Sequence, residues 1–129
     1  MANQFVVQLK NDPGAMATLA EALAARGVDL RAIGGGGIGD SGHVIMTTAD
    51  DDTTKQVLDE GGYTYIEGES ILAEVDDRPG GMAALSRQLA DAGVNIYGHL
   101  FLGRWGDRAM FAFVVDDPDK ARPILERKR

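Results

Sequence analysis

Residues with the chemistry to bind a small polar molecule occur twice in this chain of 129 residues, at one spacing. Asn11 stands two residues before Pro13, and Asp77 stands two residues before Pro79, 66 positions further along. An amide can both donate and accept hydrogen bonds, and a carboxylate attracts an ammonium group. The chain has no cysteine, which excludes thiolate metal sites, cysteine nucleophiles and disulfide bonds.

The two positions belong to an internal repeat. From Pro13 to Leu30 the single offset of 66 aligns proline, glycine, methionine, alanine, leucine and valine residues without a gap. A repeat of this kind decides the architecture and has to be recognised first. We therefore read the chain as two copies of one unit, residues 1–68 and residues 69–129, and expect the function to lie in what the copies form together. Units of this size are marginally stable alone, so we expect them to pack on each other and on a second chain.

Hydrophobic patterning predicts the elements of each copy. Residues 4–10 alternate apolar and polar side chains, as in a strand with one buried face. After Pro13, apolar residues spaced as on one helix face begin at Met16, and Gly27 is expected to end that helix. Strands predicted from Val28, over residues 43–48 and from Tyr63, with a short helix before the last, complete the order βαββαβ.

The second copy repeats this plan up to its last helix. Asp117 followed by Pro118 predicts the start of that helix, and Pro123 is expected to kink or restart it. The chain then ends, so the second copy is expected to lack its fourth strand and to leave a sheet edge for a neighbouring subunit. The predicted fold class is α+β, with two tandem ferredoxin-like βαββαβ units and antiparallel sheets.

Charge and composition bear on partners and location. The formal net charge is −7 and the sequence pI is about 4.7, which argues against nucleic acid, because its binders carry clustered lysine and arginine. No stretch resembles a signal peptide or a membrane span. We therefore expect a cytoplasmic protein with no nucleic-acid or membrane partner.

A strand, an (Asn/Asp)-x-Pro-Gly turn, a helix and then Gly-Val-(Asp/Asn)-(Leu/Ile) resemble the ACT domain family, small regulatory modules that bind amino acids. The likeness covers nearly the whole chain as two tandem ACT units. The second copy is particularly similar to the serine-sensing domain of phosphoglycerate dehydrogenase. The resemblance implies sheets packed side by side, an effector at the seam between units, and no cofactor, metal ion or catalytic residue.

The resemblance also implies the site residues. In that family the backbone N–H groups of the Pro-Gly turn bind the effector's carboxylate, as a helix N-terminus does. Polar residues before the proline and in the Gly-Val-x-hydrophobic segment of the partner unit hold the amine and side chain. The implied ligand-binding residues are Asn11, Asp12, Pro13, Gly14, Ala15, Met16, Asp29 and Leu30 in the first copy and Asp77, Arg78, Pro79, Gly80, Gly81, Met82, Asn95 and Ile96 in the second.

The two implied seams differ in charge. One would pair Asn11 with Asn95, and that amide pair suits a zwitterion. The other would pair Asp77 with Asp29, two carboxylates that repel an effector's carboxylate or raise one another's pKa. We hypothesise that the amide seam is the working site.

One family feature is missing from both copies. A histidine used in serine sensing, two residues before the first polar position, is replaced here by Leu9 and Val75. Serine itself is therefore not the expected effector.

Other signals have simpler explanations. The spacing of Gly34, Gly36 and Gly39 matches a dinucleotide-binding fingerprint, but a strand follows where a helix is needed. The same glycines could let a ligand or a second subunit approach closely. His43 and His99 are too few for a metal site.

The sequence therefore favours a non-catalytic amino-acid-sensing protein. We expect a homodimer, with a biosynthetic enzyme as a further candidate partner. The alternatives are a structural interaction module or regulatory subunit that binds no ligand, and a small ferredoxin-like enzyme, for which His99 near Tyr97 is the one candidate group.

Overall fold

The chain divides into two compact units, Met1–Gly68 and Glu69–Arg129. A computed structural model describes residues 3–127. The elements of the first sheet and its helices are β1 (Asn3–Lys10), α1 (Ala15–Ala25), β2 (Leu30–Ile38), β3 (Ser41–Thr48), α2 (Asp51–Glu60) and β4 (Tyr65–Glu69).

The second unit follows the same order with one strand fewer. Its elements are β5 (Ile71–Asp76), α3 (Gly81–Asp91), β6 (Ile96–Trp105), β7 (Arg108–Val115) and α4 (Pro118–Leu125).

The two sheets confirm the predicted fold class. The first has four strands in the order β2-β3-β1-β4, and β3 pairs antiparallel with both β1 and β2. The second has three strands in the order β5-β7-β6, again antiparallel. Among residues 69–127 no strand follows α4, as the sequence predicted for the second unit.

Each unit has its own apolar core between its helices and one face of its sheet. In the first core the strand side chains of Phe5 and Val7 meet Leu19 and Leu23 of α1, all fully buried. These are the alternate strand positions and the helix stripe that the sequence pattern predicts. The second core is built from the equivalent positions, Ile71, Ala73, Val75, Leu85 and Leu89, together with Phe113 and Leu125.

Two predicted strands begin later than their sequence patterns indicate. The N–H of Val28 donates to the carbonyl of Leu23 over 3.0 Å, and the N–H of Tyr63 donates to that of Leu58 over 3.0 Å. Both residues are therefore held by the end of the preceding helix. As a result β2 begins at Leu30 and β4 at Tyr65.

The last helix departs from the prediction at its second proline. Asp117 caps α4 by accepting from the N–H of Lys120, and Pro118 occupies the first turn, as expected. Pro123 lies inside α4, which runs unbroken to Leu125. A proline removes one donor, and because the helix ends two residues later, little of it depends on that bond.

Charged contacts fasten the second helix of the first unit. Lys55 of α2 pairs with Glu67 at 2.8 Å, and the side chain of Asn3 donates to the same carboxylate over 3.0 Å. Burial raises the pKa of Glu67, but the hydrogen bonds from Lys55 and Asn3 outweigh it and leave that pKa below its ordinary value. In the second unit Arg122 of α4 donates to both carboxylate oxygens of Glu69 at 2.7 Å.

Among residues 3–127, no helix combines the length and the apolar character that a bilayer crossing requires.

Candidate functional site

The Pro-Gly turn of the first unit leads into a helix that has no side-chain cap. Gly14 immediately precedes α1 with φ 88°, a left-handed conformation that glycine adopts without strain. No side chain accepts a hydrogen bond from the first turn of α1. An uncapped helix start carries partial positive charge and suits a carboxylate.

A hollow of about 370 Å³ lies beside this turn, on one side of the glycine-rich strand β2. Its lining combines the end of β1, the turn, the start of α1, β2 and the start of β3. The lining residues are Leu9, Lys10, Asn11, Asp12, Ala15, Met16, Ile33, Gly34, Gly35, Gly36, Gly42, His43 and Val44.

The glycines of β2 let this strand approach β3 and Asn11 closely. Gly35 pairs with Val44 and Gly37 pairs with Gly42 in the β2–β3 ladder. A Cβ atom on Gly35 would overlap the carbonyl oxygen of His43, so the two strands approach more closely than a side chain would permit. A Cβ on Gly37 would lie 2.6 Å from Oδ1 of Asn11.

Asn11 stands at the rim and connects the turn to the tip of the β2–β3 hairpin. Its backbone N–H donates to the carbonyl of Asp40 over 3.0 Å, and its side-chain Nδ2 donates to the carbonyl of Gly39 over 2.9 Å. Gly39, at φ 61°, makes the tight turn between the strands. The Asn11 side chain is therefore held in place, with Oδ1 toward Gly37.

The second unit builds the same corner. Gly80 precedes α3 at φ 90° without a side-chain cap, and the N–H of Asp77 donates to the carbonyl of Asp107 over 2.8 Å. A hollow of about 340 Å³ lies beside it. Its lining residues are Val75, Asp76, Asp77, Arg78, Pro79, Met82, Arg104, Ala109 and Phe111.

The corner of the second unit carries larger side chains where the first has glycines. Nε of Arg104 donates to Oδ2 of Asp77 over 2.7 Å, and its guanidinium lies 4.7 Å from the ring centroid of Phe101. Phe101 in turn meets Phe111 edge to face, with ring centroids 5.5 Å apart. Asp77 is thus already paired with a cation, an interaction that the sequence hypothesis did not include.

The residues implied by the family resemblance are only partly brought together. Asn11, Asp12, Ala15 and Met16 line the first hollow, and Asp77, Arg78, Pro79 and Met82 line the second.

Pro13 and Gly14 line a separate pocket of about 800 Å³ on the other side of the turn, next to Tyr63. Gly81 is the first residue of α3, where a Cβ atom would overlap the carbonyl oxygen of Asp76.

The polar residues implied after each helix lie elsewhere. Asp29 is exposed and pairs with Arg31 at 3.4 Å, and Asn95 exchanges hydrogen bonds of 2.9 and 3.0 Å with Asp116. Asn11 and Asn95 belong to different units, as do Asp77 and Asp29, so no single unit assembles either implied pair.

The neighbours of these two residues have structural positions. Leu30 and Ile96 pack against the cores of their own units.

Sequence reasoning missed Arg104 and most of the β2 and β3 lining. The repeat offset of 66 holds through Phe101, where a register shift adds one residue to β6 before Gly103. Beyond that point the ladder aligns Arg104 with Gly37 and Trp105 with Ile38. Extending the repeat with an offset of 67 would have identified Arg104 as the counterpart of a glycine.

No group of three or more histidine, aspartate or glutamate side chains in residues 3–127 is placed to hold a metal ion.

The comparisons with known proteins bear on the fold. A protein of Bacteroides thetaiotaomicron has a solved structure that matches with a TM-score of 0.71 at 21% identity, over 97% of this chain and 86% of that chain. The ligand-free regulatory subunit of aspartate kinase from Thermus thermophilus matches at 0.62 and 20% identity, over 97% and 87% of the two chains. The corresponding subunit from Thermus flavus matches at 0.62 and 19%, over 97% and 90%.

No protein-family model matches the sequence, and no curated protein matches it significantly. The order of strands and helices in both units and these structural matches show that the chain has the fold implied by the resemblance to the ACT family, two tandem ferredoxin-like units with antiparallel sheets.

Proposed function

We propose that this protein is a regulatory module that binds a free amino acid in the hollow of its first unit. The observation that carries the proposal is the conjunction, around one space of about 370 Å³, of an uncapped helix start and a fixed amide at Asn11. That volume falls in the range of roughly 300–1,000 Å³ common for small-molecule sites.

The two polar features complement the two ends of a zwitterion. The first turn of α1, after Gly14, offers partial positive charge to a carboxylate. Nδ2 of Asn11 is engaged by the carbonyl of Gly39, which leaves Oδ1 as the acceptor for an ammonium group. A free amino acid satisfies both groups at once.

Regulation would follow from closure of the hollow. β2 is an edge strand of its sheet, and a neighbouring ACT-type unit added at such an edge would cover the open side of the hollow. An effector changes such an equilibrium only through its different affinities for the two arrangements. We infer a homodimer whose subunit packing responds to the effector.

The expected target of regulation is an enzyme of amino-acid biosynthesis. Two proteins with this fold are regulatory subunits of aspartate kinase, which supports a separate catalytic partner here. On this proposal the chain itself is not catalytic.

A second candidate function is an interaction module that binds no small molecule. Ile38 is 89% exposed and Trp105 is 61% exposed, and the two occupy equivalent ladder positions at their hairpin tips. Exposed apolar side chains at matching places favour a protein contact.

Thermal unfolding with each of the twenty amino acids distinguishes the two. A ligand at 100 times its Kd adds about 2.7 kcal/mol to the free energy of unfolding, so one selective hit with a raised Tm is expected. Asn11→Ala should abolish that shift, whereas the matched Asp77→Ala should keep it. No shift with any amino acid, in a protein that still dimerises, would favour the interaction module.

The seam hypothesis has its own variant. Asn95→Ala should lower the affinity for the ligand if Asn95 of a neighbouring unit completes the site. If Asn11→Ala and Asn95→Ala both leave affinity intact while Asp77→Ala removes it, the working hollow is the second one.

A further inference from the structure

The first hollow is apolar except at its rim. Leu9, Met16, Ile33 and Val44 supply its larger side chains. Leu9 and Met16 also pack on the core of the unit, and Val44 is only 5% exposed. Leu9, Met16 and Val44 are therefore anchored in the core, and Ile33 adds a more exposed apolar side chain to the wall.

The polar residues of the lining are confined in position. Lys10, Asn11 and Asp12 form one short segment at the rim. His43 lies on β3 between the buried residues Gly42 and Val44. Because side chains alternate along a strand, the imidazole of His43 lies on the opposite face of the sheet. Only the backbone of His43 therefore lines the hollow.

The second unit shows which side chains line the same corner when larger residues stand in place of the glycines. Phe101 pairs with Phe111 in the β6–β7 ladder, as Gly35 pairs with Val44 in the first unit. The two rings are in edge-to-face contact, and the guanidinium of Arg104 covers Phe101. Aromatic groups therefore stand in the second repeat at ladder positions where the first repeat has Gly35 and Val44.

We propose that the ligand of the first hollow is an α-amino acid with an apolar side chain, branched aliphatic or aromatic, whose side chain lies against Val44, Ile33 and Met16. This inference rests on the proposed function and names its ligand class. A charged side chain would lose its hydration against these residues without gaining a counter-ion, which is strongly unfavourable. The amino and carboxylate groups remain at the rim, beside Asn11 and the start of α1.

Titration calorimetry of the full chain against a panel of amino acids tests this class. Valine, leucine, isoleucine and phenylalanine should include the tightest ligand. Alanine should bind at least about tenfold more weakly than that ligand, since one methylene group in an apolar pocket changes affinity by roughly 10–200-fold. Aspartate, lysine and serine should be weaker still.

Two variants locate the side chain of the ligand. Val44→Phe introduces into the first hollow the phenylalanine that the second unit has at the equivalent position, and it should abolish binding of amino acids with the largest side chains. The reciprocal variant Phe111→Val should leave the affinity of the first hollow unchanged. Ile33 is 48% exposed, so Ile33→Asn should fold normally and should weaken an apolar ligand by about tenfold through lost apolar contact.

The outcomes separate this inference from the proposed function. A tightest ligand with a charged or polar side chain, still lost in Asn11→Ala, would overturn the apolar class and leave amino-acid sensing intact. An apolar ligand whose affinity is the same in Val44→Phe and in Ile33→Asn would overturn the placement of its side chain. Absence of binding by all twenty amino acids would overturn the proposed function itself.

Discussion

In both units the strand that precedes the Pro-Gly turn is tied to the tip of a hairpin. The N–H of Asn11 donates to Asp40 in the first unit, and the N–H of Asp77 donates to Asp107 in the second. Beyond this shared backbone the two corners differ in what lines them, because glycines of β2 line the hollow of the first unit, whereas Arg104 and Phe111 line that of the second.

The difference separates what holds a corner from what occupies it. Backbone hydrogen bonds and left-handed glycines at the turns, Gly14 and Gly80, reproduce the frame in each copy. Side chains at a few ladder positions then decide what lines the hollow. On the proposed function, the first copy keeps the binding site and the ion pair of Asp77 with Arg104 occupies the equivalent place in the second copy.

The comparison is broken most strongly by introducing the ion pair of the second hollow into the first. Gly37 and Arg104 occupy equivalent ladder positions, and Asn11 is equivalent to Asp77. The double variant Asn11→Asp with Gly37→Arg should reproduce the ion pair and lower ligand affinity at least about 100-fold, which corresponds to roughly 2.7 kcal/mol. Calorimetry with the best amino acid ligand measures this loss.

The reciprocal change is the control. Asp77→Asn with Arg104→Gly removes the ion pair from the second unit and should leave the affinity of the first hollow unchanged. Full affinity in the variant Asn11→Asp with Gly37→Arg, or loss of binding in the control, would show that the ligand does not use the first hollow.

A smaller effect is expected where the two helices begin. Ala15 opens α1 and Gly81 opens α3, but only at Gly81 would a Cβ atom overlap a backbone carbonyl, that of Asp76. Gly81→Ala should therefore lower the free energy of unfolding by about 1–3 kcal/mol, the usual range for overpacking. Urea denaturation of Gly81→Ala and of Ala15→Gly measures the contrast.

In Ala15→Gly the loss should stay at about 1 kcal/mol or less, the difference in helix propensity. Equal losses in the two variants would show that the starts of α1 and α3 are packed alike.

The smallest effect concerns the ion pair that holds α2. Lys55 of α2 pairs with Glu67, whose pKa is shifted. Since the pKa of Glu67 is lower in the folded protein than its ordinary value of 4.5, its contribution to stability is present above that value. The contribution is lost as the pH falls through the lowered pKa. Glu67→Gln should flatten the decline in urea stability between neutral and acidic pH.

Lys55→Met is the matched control for this pH effect. It removes the hydrogen bond and charge that lower the pKa of Glu67 and leaves the burial that raises it. The loss of stability between neutral and acidic pH should therefore become smaller or turn into a gain. An unchanged acid limb in both variants would mean that Glu67 is not the titrating group.

Much of the fold could be predicted because local chemistry and tertiary structure agree. Pro13 and Gly14 specify the turn, the apolar stripe from Met16 specifies α1, and Asp117 specifies the start of α4. The errors lie at junctions. The sequence pattern predicts a strand from Val28, but the N–H of Val28 donates to the end of α1. Hydrophobic periodicity does not reveal that contact.

The candidate site was less accessible to sequence reasoning. Asn11 and its neighbours could be identified because the repeat marks them. The counterpart of Gly37 could not, because the extra residue before Gly103 shifts the register of β6, and a shift of one residue changes which side chains share a face. Arg104 became recognisable only when the ladder pairing was known.

The run of four glycines at positions 34–37 has a consequence for motion as well as for space. Glycine loses more backbone freedom on ordering than any other residue, and here the run lies in an edge strand with a neighbour on one side only. Amide protons of these glycines should therefore exchange with solvent faster than those at the matching positions of β6. A molecule that binds against the strand and slows that exchange would raise the affinity for a second partner at the same edge. Part of the entropy cost of ordering the strand would already have been met.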